Sequence, residues 1–105
     1  MSLRWWRIAL VLEREGAPWT WTFHVRAATE ARARRLVADR LPGQRYAIFT
    51  LRPSDPLPLP PDREGIAADY GPWPRDWADP AVAHLRELLY PESAQQLDAE
   101  GRAHT

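Results

Sequence analysis

The chain has no cysteine, and this absence removes several kinds of chemistry. Without thiols it can form no disulfide, no thiolate metal site and no cysteine nucleophile. Lysine is also missing, so all fourteen basic residues are arginine. A codon bias explains the missing lysine more readily than a binding role does. The lack of thiols is typical of proteins from a reducing compartment.

Long hydrophobic runs are absent as well. The longest uninterrupted apolar stretch is Ile8–Leu12, whereas a membrane-spanning helix needs about 20 apolar residues. A secretory signal would need a longer apolar stretch and a small-residue cleavage site. We therefore expect a cytoplasmic protein that does not contact a membrane.

Residues typical of catalytic sites are few and scattered. None of the three serines lies in a nucleophile elbow, and the five glycines form no phosphate-binding or dinucleotide motif. His84 and Glu87 could supply half of a metal site, but an exposed pair on a helix surface is the better interpretation. We expect no metal, no cofactor and no enzymatic activity.

Charge and proline are distributed unevenly along the chain. Residues 1–52 carry ten arginines and four acids, while residues 53–105 carry four arginines and ten acids, so the net charge of zero conceals two opposite halves. Nine of the eleven prolines also lie after residue 52. Because helices and inner strands exclude proline, regular structure is expected mainly in the first half.

Four of the six tryptophans lie in one predicted hairpin. The first strand covers about Leu3–Glu13 and the second Trp19–Arg26, where apolar and polar residues alternate. A type II′ turn at Gly16-Ala17 is expected to join them. The resulting cross-strand pairs are Leu12 with Trp21, Leu10 with Phe23 and Ile8 with Val25. One face of the hairpin is then wholly apolar.

A helix and a third strand complete the predicted core. Thr29 is suited to cap a helix that ends near Leu41, with two i,i+4 charge pairs on its exposed face. Its apolar residues are Ala33, Leu36, Val37 and Leu41, and its charge pairs are Glu30/Arg34 and Arg35/Asp39. A right-handed crossover would place the third strand, Tyr46–Arg52, beside the first. We predict an α+β fold in which residues 1–52 form a ββαβ core with a three-stranded antiparallel sheet of order 2-1-3.

The second half is predicted to be less regular. Residues 53–79 read as an irregular arm, rich in proline and tryptophan, that packs on the core. Residues 80–105 are expected to hold a helix over 80–90, started by Asp79 and Pro80, then a short helix at Ser93–Gln96 and a tail.

The second face of the hairpin is half apolar and needs a cover. It carries Trp5, Arg7, Ala9 and Val11 beside Thr20, Thr22, His24 and Arg26. The predicted register sets Arg7 opposite Arg26, which is unfavourable unless an anion or a carboxylate lies between them. Trp73 or Trp77 from the arm could cover this face, with Asp76 or Asp79 meeting the arginines.

Two other ways of covering the second face remain possible. A protein partner or a second copy of the chain would suit the tryptophans and arginines, which are enriched at interface hot spots. A nucleic acid would suit an arginine-rich first half, but a chain of this neutral charge is not typical of a free nucleic-acid binder.

We therefore expect a non-catalytic protein-interaction module, such as a small regulator or inhibitor, that binds a protein or itself. The expected contact residues are Trp5, Arg7, Arg26, Trp73 and Trp77. The alternative is a nucleic-acid-binding protein that uses the arginines of the first half, namely Arg32, Arg35, Arg40 and Arg45.

Overall fold

A computed structural model describes residues 2–56 and 63–91 of the chain. In chain order the elements are β1 (Arg4–Arg14), β2 (Ala17–Ala27), α1 (Glu30–Arg40), β3 (Tyr46–Pro53), β4 (Gly65–Pro74), α2 (Pro80–Ala83) and α3 (Leu85–Leu89). The four strands form one antiparallel sheet in the order β3-β1-β2-β4. The α+β class is confirmed, and β1 lies between β2 and β3 as predicted. The prediction of three strands is wrong.

The fourth strand lies in the segment that the sequence predicts to be irregular. Residues 65–74 pair with β2, so β2 is an inner strand and not an edge. The register shifts twice along this pair, and each shift adds a residue to β4. These bulges break the strict alternation by which a strand is recognised in a sequence. Its prolines, Pro72 and Pro74, are tolerated because β4 is an edge strand.

The hairpin turn lies one residue earlier than predicted. Its central residues are Glu15 and Gly16, with φ angles of 54° and 79°, which is the pattern of a type I′ turn rather than type II′. Ile8 consequently faces Phe23 and not Val25. The register differs from the predicted one by two residues. Because strand alternation has a period of two, every side chain keeps its predicted face.

The first face of the sheet, against α1, carries the main core. Its buried residues are Trp6, Ile8, Leu10, Leu12, Trp21, Phe23, Val25, Ala27, Ala33, Val37 and Leu41. Thr29 caps α1 as predicted, accepting a hydrogen bond from the backbone N–H three residues later. Both predicted charge pairs on the exposed side of α1 form, with N–O distances of 3.3 and 3.2 Å.

The two short helices pack on the second face of the sheet. The helix predicted over 80–90 is divided at His84 into α2 and α3, and Asp79 caps α2 by accepting a hydrogen bond from the Ala81 N–H. The smaller core that they form consists of Val11, Val82, Leu85 and Leu89. Part of the second face is therefore covered from within the chain. The short helix predicted at Ser93–Gln96 lies outside the described residues.

Candidate functional site

Among the described residues, α2 and α3 cover the second sheet face around Val11. Beyond this cover lies a row of three basic side chains across three strands, Arg52 of β3, Arg7 of β1 and His24 of β2. Arg7 is the direct partner of Arg52 on one side and of His24 on the other. Directly paired residues share a face of the sheet, and these three line one hollow of about 420 Å³. We call these residues the basic row.

A third arginine lies next to the basic row. Arg26 follows His24 on the same face of β2, and its partner on β1 is Trp5. The guanidinium carbon of Arg26 lies 5.0 Å from the centroid of the Trp5 ring, within the range of a cation–π interaction. Trp5 is buried, with 6% of its surface exposed. The predicted opposition of Arg7 and Arg26 is therefore wrong, because Arg7 faces His24.

Two nitrogen atoms in this cluster are buried without a hydrogen-bond partner in the described part of the chain. They are Nδ1 of His24 and Nε of Arg26. Buried polar atoms in folded proteins almost always have a partner, so each exception needs an explanation. Both atoms lie on the second face of β2, two residues apart, and both are closed off from solvent.

The electrostatics of the cluster are unbalanced. Burial, and to a smaller extent the charge of Arg7, lowers the pKa of His24 below its ordinary value. Within the described residues, no carboxylate lies within 4 Å of a side-chain nitrogen of Arg7, Arg26 or Arg52. The ion pairs in that part of the chain all involve arginines of α1. Like charges on paired strands are unfavourable when nothing lies between them.

Two exposed aromatic side chains border the same face. Tyr70 and Trp73 of β4 pair with Thr22 and Thr20 of β2 and are 53% and 58% exposed. The Tyr70 ring meets the His24 ring edge to face, with 5.4 Å between their centroids. We call Tyr70 and Trp73 the aromatic rim. The basic row and the aromatic rim together form a surface that is half cationic and half aromatic.

The predicted contact residues are only partly brought together. Trp5, Arg7 and Arg26 lie side by side, and Trp73 lies on the same face farther along β4. Trp77 belongs to the cover instead, because it packs against the core around Val11 and its Nε1–H donates to the Gly16 carbonyl at 3.2 Å.

The acids expected to meet the arginines have a different role. The carboxylates of Asp76 and Asp79 accept hydrogen bonds from backbone N–H groups at the start of α2. Neither forms an ion pair with an arginine within the described residues. Among the described residues, the acids of the second half therefore do not pair with the arginines of the basic row.

Sequence reasoning did not select three members of this surface. Arg52 could not be identified without knowing that β3 pairs with β1. Tyr70 lies in β4, a strand that the sequence does not reveal. His24 alternates with threonines on β2, and its position beside the arginines was the one signal that could have identified it.

The four arginines of the nucleic-acid alternative make different contacts within the chain. Arg32 pairs with Glu64, and Arg35 pairs with Asp39. Arg40 lies over the Trp21 ring, and Arg45 donates to the Leu89 carbonyl beside α3. Arg32, Arg35 and Arg40 belong to α1, whereas Arg45 lies between α1 and β3 and contacts α3. Each of the four has a contact within the chain.

The described residues contain no group of three or more metal-ligating side chains. No helix among them is long and apolar enough to span a membrane. In comparisons with protein-family models, curated proteins and solved structures, nothing matches this chain. Its own residues must therefore carry any functional proposal.

Proposed function

We propose that the chain is a non-catalytic protein-binding module and that its contact surface is the basic row with the aromatic rim. The observation that carries this proposal is the exposure of Tyr70 and Trp73 beside cations that have no carboxylate partner in the described chain. Tyrosine, tryptophan and arginine are the residue types that dominate the binding energy of protein interfaces.

The shape of this surface supports the same proposal. The small side chains of Ala9 and Thr22 lie between the basic row and α2, and they line a hollow of about 270 Å³ together with Arg7. A partner side chain could enter this hollow while the aromatic rim packs beside it. Interfaces of this kind join a packed centre to a polar border.

Self-association is a second form of protein binding that the fold permits. The outer edge of β3 from Tyr46 to Arg52 contains no proline, whereas the outer edge of β4 contains Pro72 and Pro74. An edge without proline or inward charge is open to pairing with another strand. A second copy of this chain would pair along β3, beside Arg52 of the basic row.

A capture experiment with matched variants tests the proposed contact surface. Immobilised wild type, Tyr70→Ala/Trp73→Ala and the control Leu88→Ala are compared with host extract, with and without nuclease. Leu88 is also half exposed but lies on α3. We expect wild type and the control to retain the same proteins and the double variant to lose them.

Two results would contradict the proposal. Equal retention by the double variant would exclude the aromatic rim as the contact surface. Loss of all captured material after nuclease treatment would favour the nucleic-acid alternative. Trp5 is unsuited to this test, because it is buried and its replacement would disturb the fold.

A further inference from the structure

Within the described residues, no carboxylate pairs with Arg26 or with the arginines of the basic row, so their mutual repulsion is not offset there. Arg52, Arg7 and His24 occupy consecutive strands, which lie about 4.8 Å apart in a sheet. Arg26 adds a fourth position two residues farther along β2. A bound anion beside Arg7, Arg26 and Arg52 would turn the repulsion between these guanidinium groups into attraction to the anion.

We propose that the basic row together with Arg26 is a binding site for the side-chain carboxylates of an acidic, extended protein segment. This inference rests on the proposed function and names the chemistry of the partner. Same-face residues of an extended strand are about 6.8 Å apart, and this is also the spacing from His24 to Arg26 along β2. One carboxylate at each of two alternate positions would therefore lie beside His24, whose protonated form it would favour, and beside Arg26.

A local acid favours a peptide over a polyanionic nucleic acid. Asp55 lines the hollow that contains Arg7 and Arg52. A continuous phosphate backbone that leaves the cluster there would pass this carboxylate. A peptide with two or three acidic residues places its charges only on the cations, and its other residues can contact the aromatic rim.

The test uses a defined probe and charge-matched variants of the whole chain. The probe is a fluorescein-labelled, end-capped hexapeptide of alternating glutamate and threonine. A glutamine–threonine hexapeptide and a tetrathymidylate of the same charge as the probe serve for comparison. Arg7→Gln and Arg52→Gln remove one cation from the basic row. Arg34→Gln removes one cation from α1, where Arg34 pairs with Glu30.

We expect fluorescence anisotropy to show binding of the acidic peptide and none of the glutamine peptide. Each basic-row variant should weaken binding about tenfold or more, since a hydrogen bond to a charged group is lost. Arg34→Gln should leave the affinity within twofold. In NMR titrations, the pKa of the His24 imidazole should rise when the acidic peptide binds, because a nearby carboxylate favours the protonated ring.

Three outcomes would overturn the inference. They are no binding of the acidic peptide, equal weakening by Arg34→Gln, and tighter binding of the tetrathymidylate than of the peptide. Arg52 is exposed, so its variant keeps the test valid even if Arg7→Gln fails to fold. If the acidic peptide fails while Tyr70→Ala/Trp73→Ala still loses captured proteins, the carboxylate site is wrong and the protein-binding surface stands.

Discussion

The guanidinium of Arg26 covers the ring of Trp5, at 5.0 Å from the ring centroid, on the face of the sheet opposite the main core. This contact explains how two adjacent tryptophans are accommodated in one strand. Trp6 enters the main core, and Trp5 is buried on the other face, where Arg26 is one of its neighbours. Because Arg26 is a cation, the surface above the Trp5 ring is charged, whereas an apolar side chain at this position would make it neutral.

Replacing Arg26 should expose Trp5 and lower stability. We expect Arg26→Gln to reduce the free energy of unfolding by about 1 kcal/mol, the usual size of a partly desolvated cation–π contact. Urea unfolding followed by tryptophan fluorescence measures this change. Arg52→Gln is the control, since Arg52 is an exposed cation of the same face and should change stability by less than about 0.5 kcal/mol. Equal losses in the two variants would show that the contact with Trp5 contributes nothing.

The lowered pKa of His24 gives the stability of the protein a defined pH dependence. Burial is the larger cause and the charge of Arg7 the smaller one. Below pH 6.5 the unfolded chain binds a proton at this histidine more readily than the folded chain does. The free energy of unfolding should therefore decrease as the pH falls below 6.5, until the pH drops below the folded-state pKa.

Comparison with His24→Gln isolates this contribution. Urea unfolding of wild type and variant at pH 7.5 and pH 5.5 should show a larger loss of stability in wild type. All other titratable groups are common to the two proteins. An identical loss in the two proteins would show that His24 titrates normally in the folded state.

The sequence was sufficient for the parts of the fold whose local signals agree. Strict alternation in β2 identifies both the strand and its apolar face, and Thr29 and Asp79 mark the starts of helices through their own hydrogen bonds. The hairpin register was wrong by two residues because Glu15 adopts a positive φ, which is uncommon outside glycine. This error did not change the face on which any side chain lies, because a shift of two residues preserves the alternation of a strand.

Strand β4 could not be predicted because its residue composition opposes a strand, and the strand forms through its pairing with β2. Pro72 and Pro74 oppose strand formation locally, and the two bulges remove its alternation. The strand exists because β2 offers it a partner along its whole length. The basic row was missed for a related reason, since Arg52 and Arg7 are distant in sequence and meet only through the pairing of β3 with β1.

The bulge of β4 at Gly71 supplies a stability test of this strand. Gly71 has a φ of 114°, and a Cβ built there would lie 2.8 Å from the Thr20 carbonyl oxygen. We expect Gly71→Ala to lower the free energy of unfolding by about 2 to 3 kcal/mol, from backbone strain and from the forced separation of β4 and β2. Thermal and urea unfolding measure the loss.

The matched control is Gly43→Ala. Gly43 has a φ of 71°, and a methyl group at this position would meet only open space, so only the conformational cost of about 1 kcal/mol should appear. A loss at Gly71 no larger than that at Gly43 would mean that β4 can separate from β2 at the bulge without cost. Such a result would also weaken the assignment of Tyr70 and Trp73 to a fixed surface.

The free edge of β3 makes self-association testable at one exposed residue. Phe49 is the extra residue where the register of β1 and β3 shifts, and it lies in the middle of the edge strand. If two copies pair antiparallel along β3, a Phe49→Lys substitution would bring two ammonium groups close together across the new ladder, and like charges on paired strands are destabilising. We expect light scattering of wild type to show a mass that rises with concentration, and Phe49→Lys to remain a monomer.

Leu88→Lys adds the same charge on α3 and should associate as wild type does. A wild-type mass that stays monomeric at every concentration would exclude pairing through β3, and the protein-binding role would then fall entirely to the basic row and the aromatic rim.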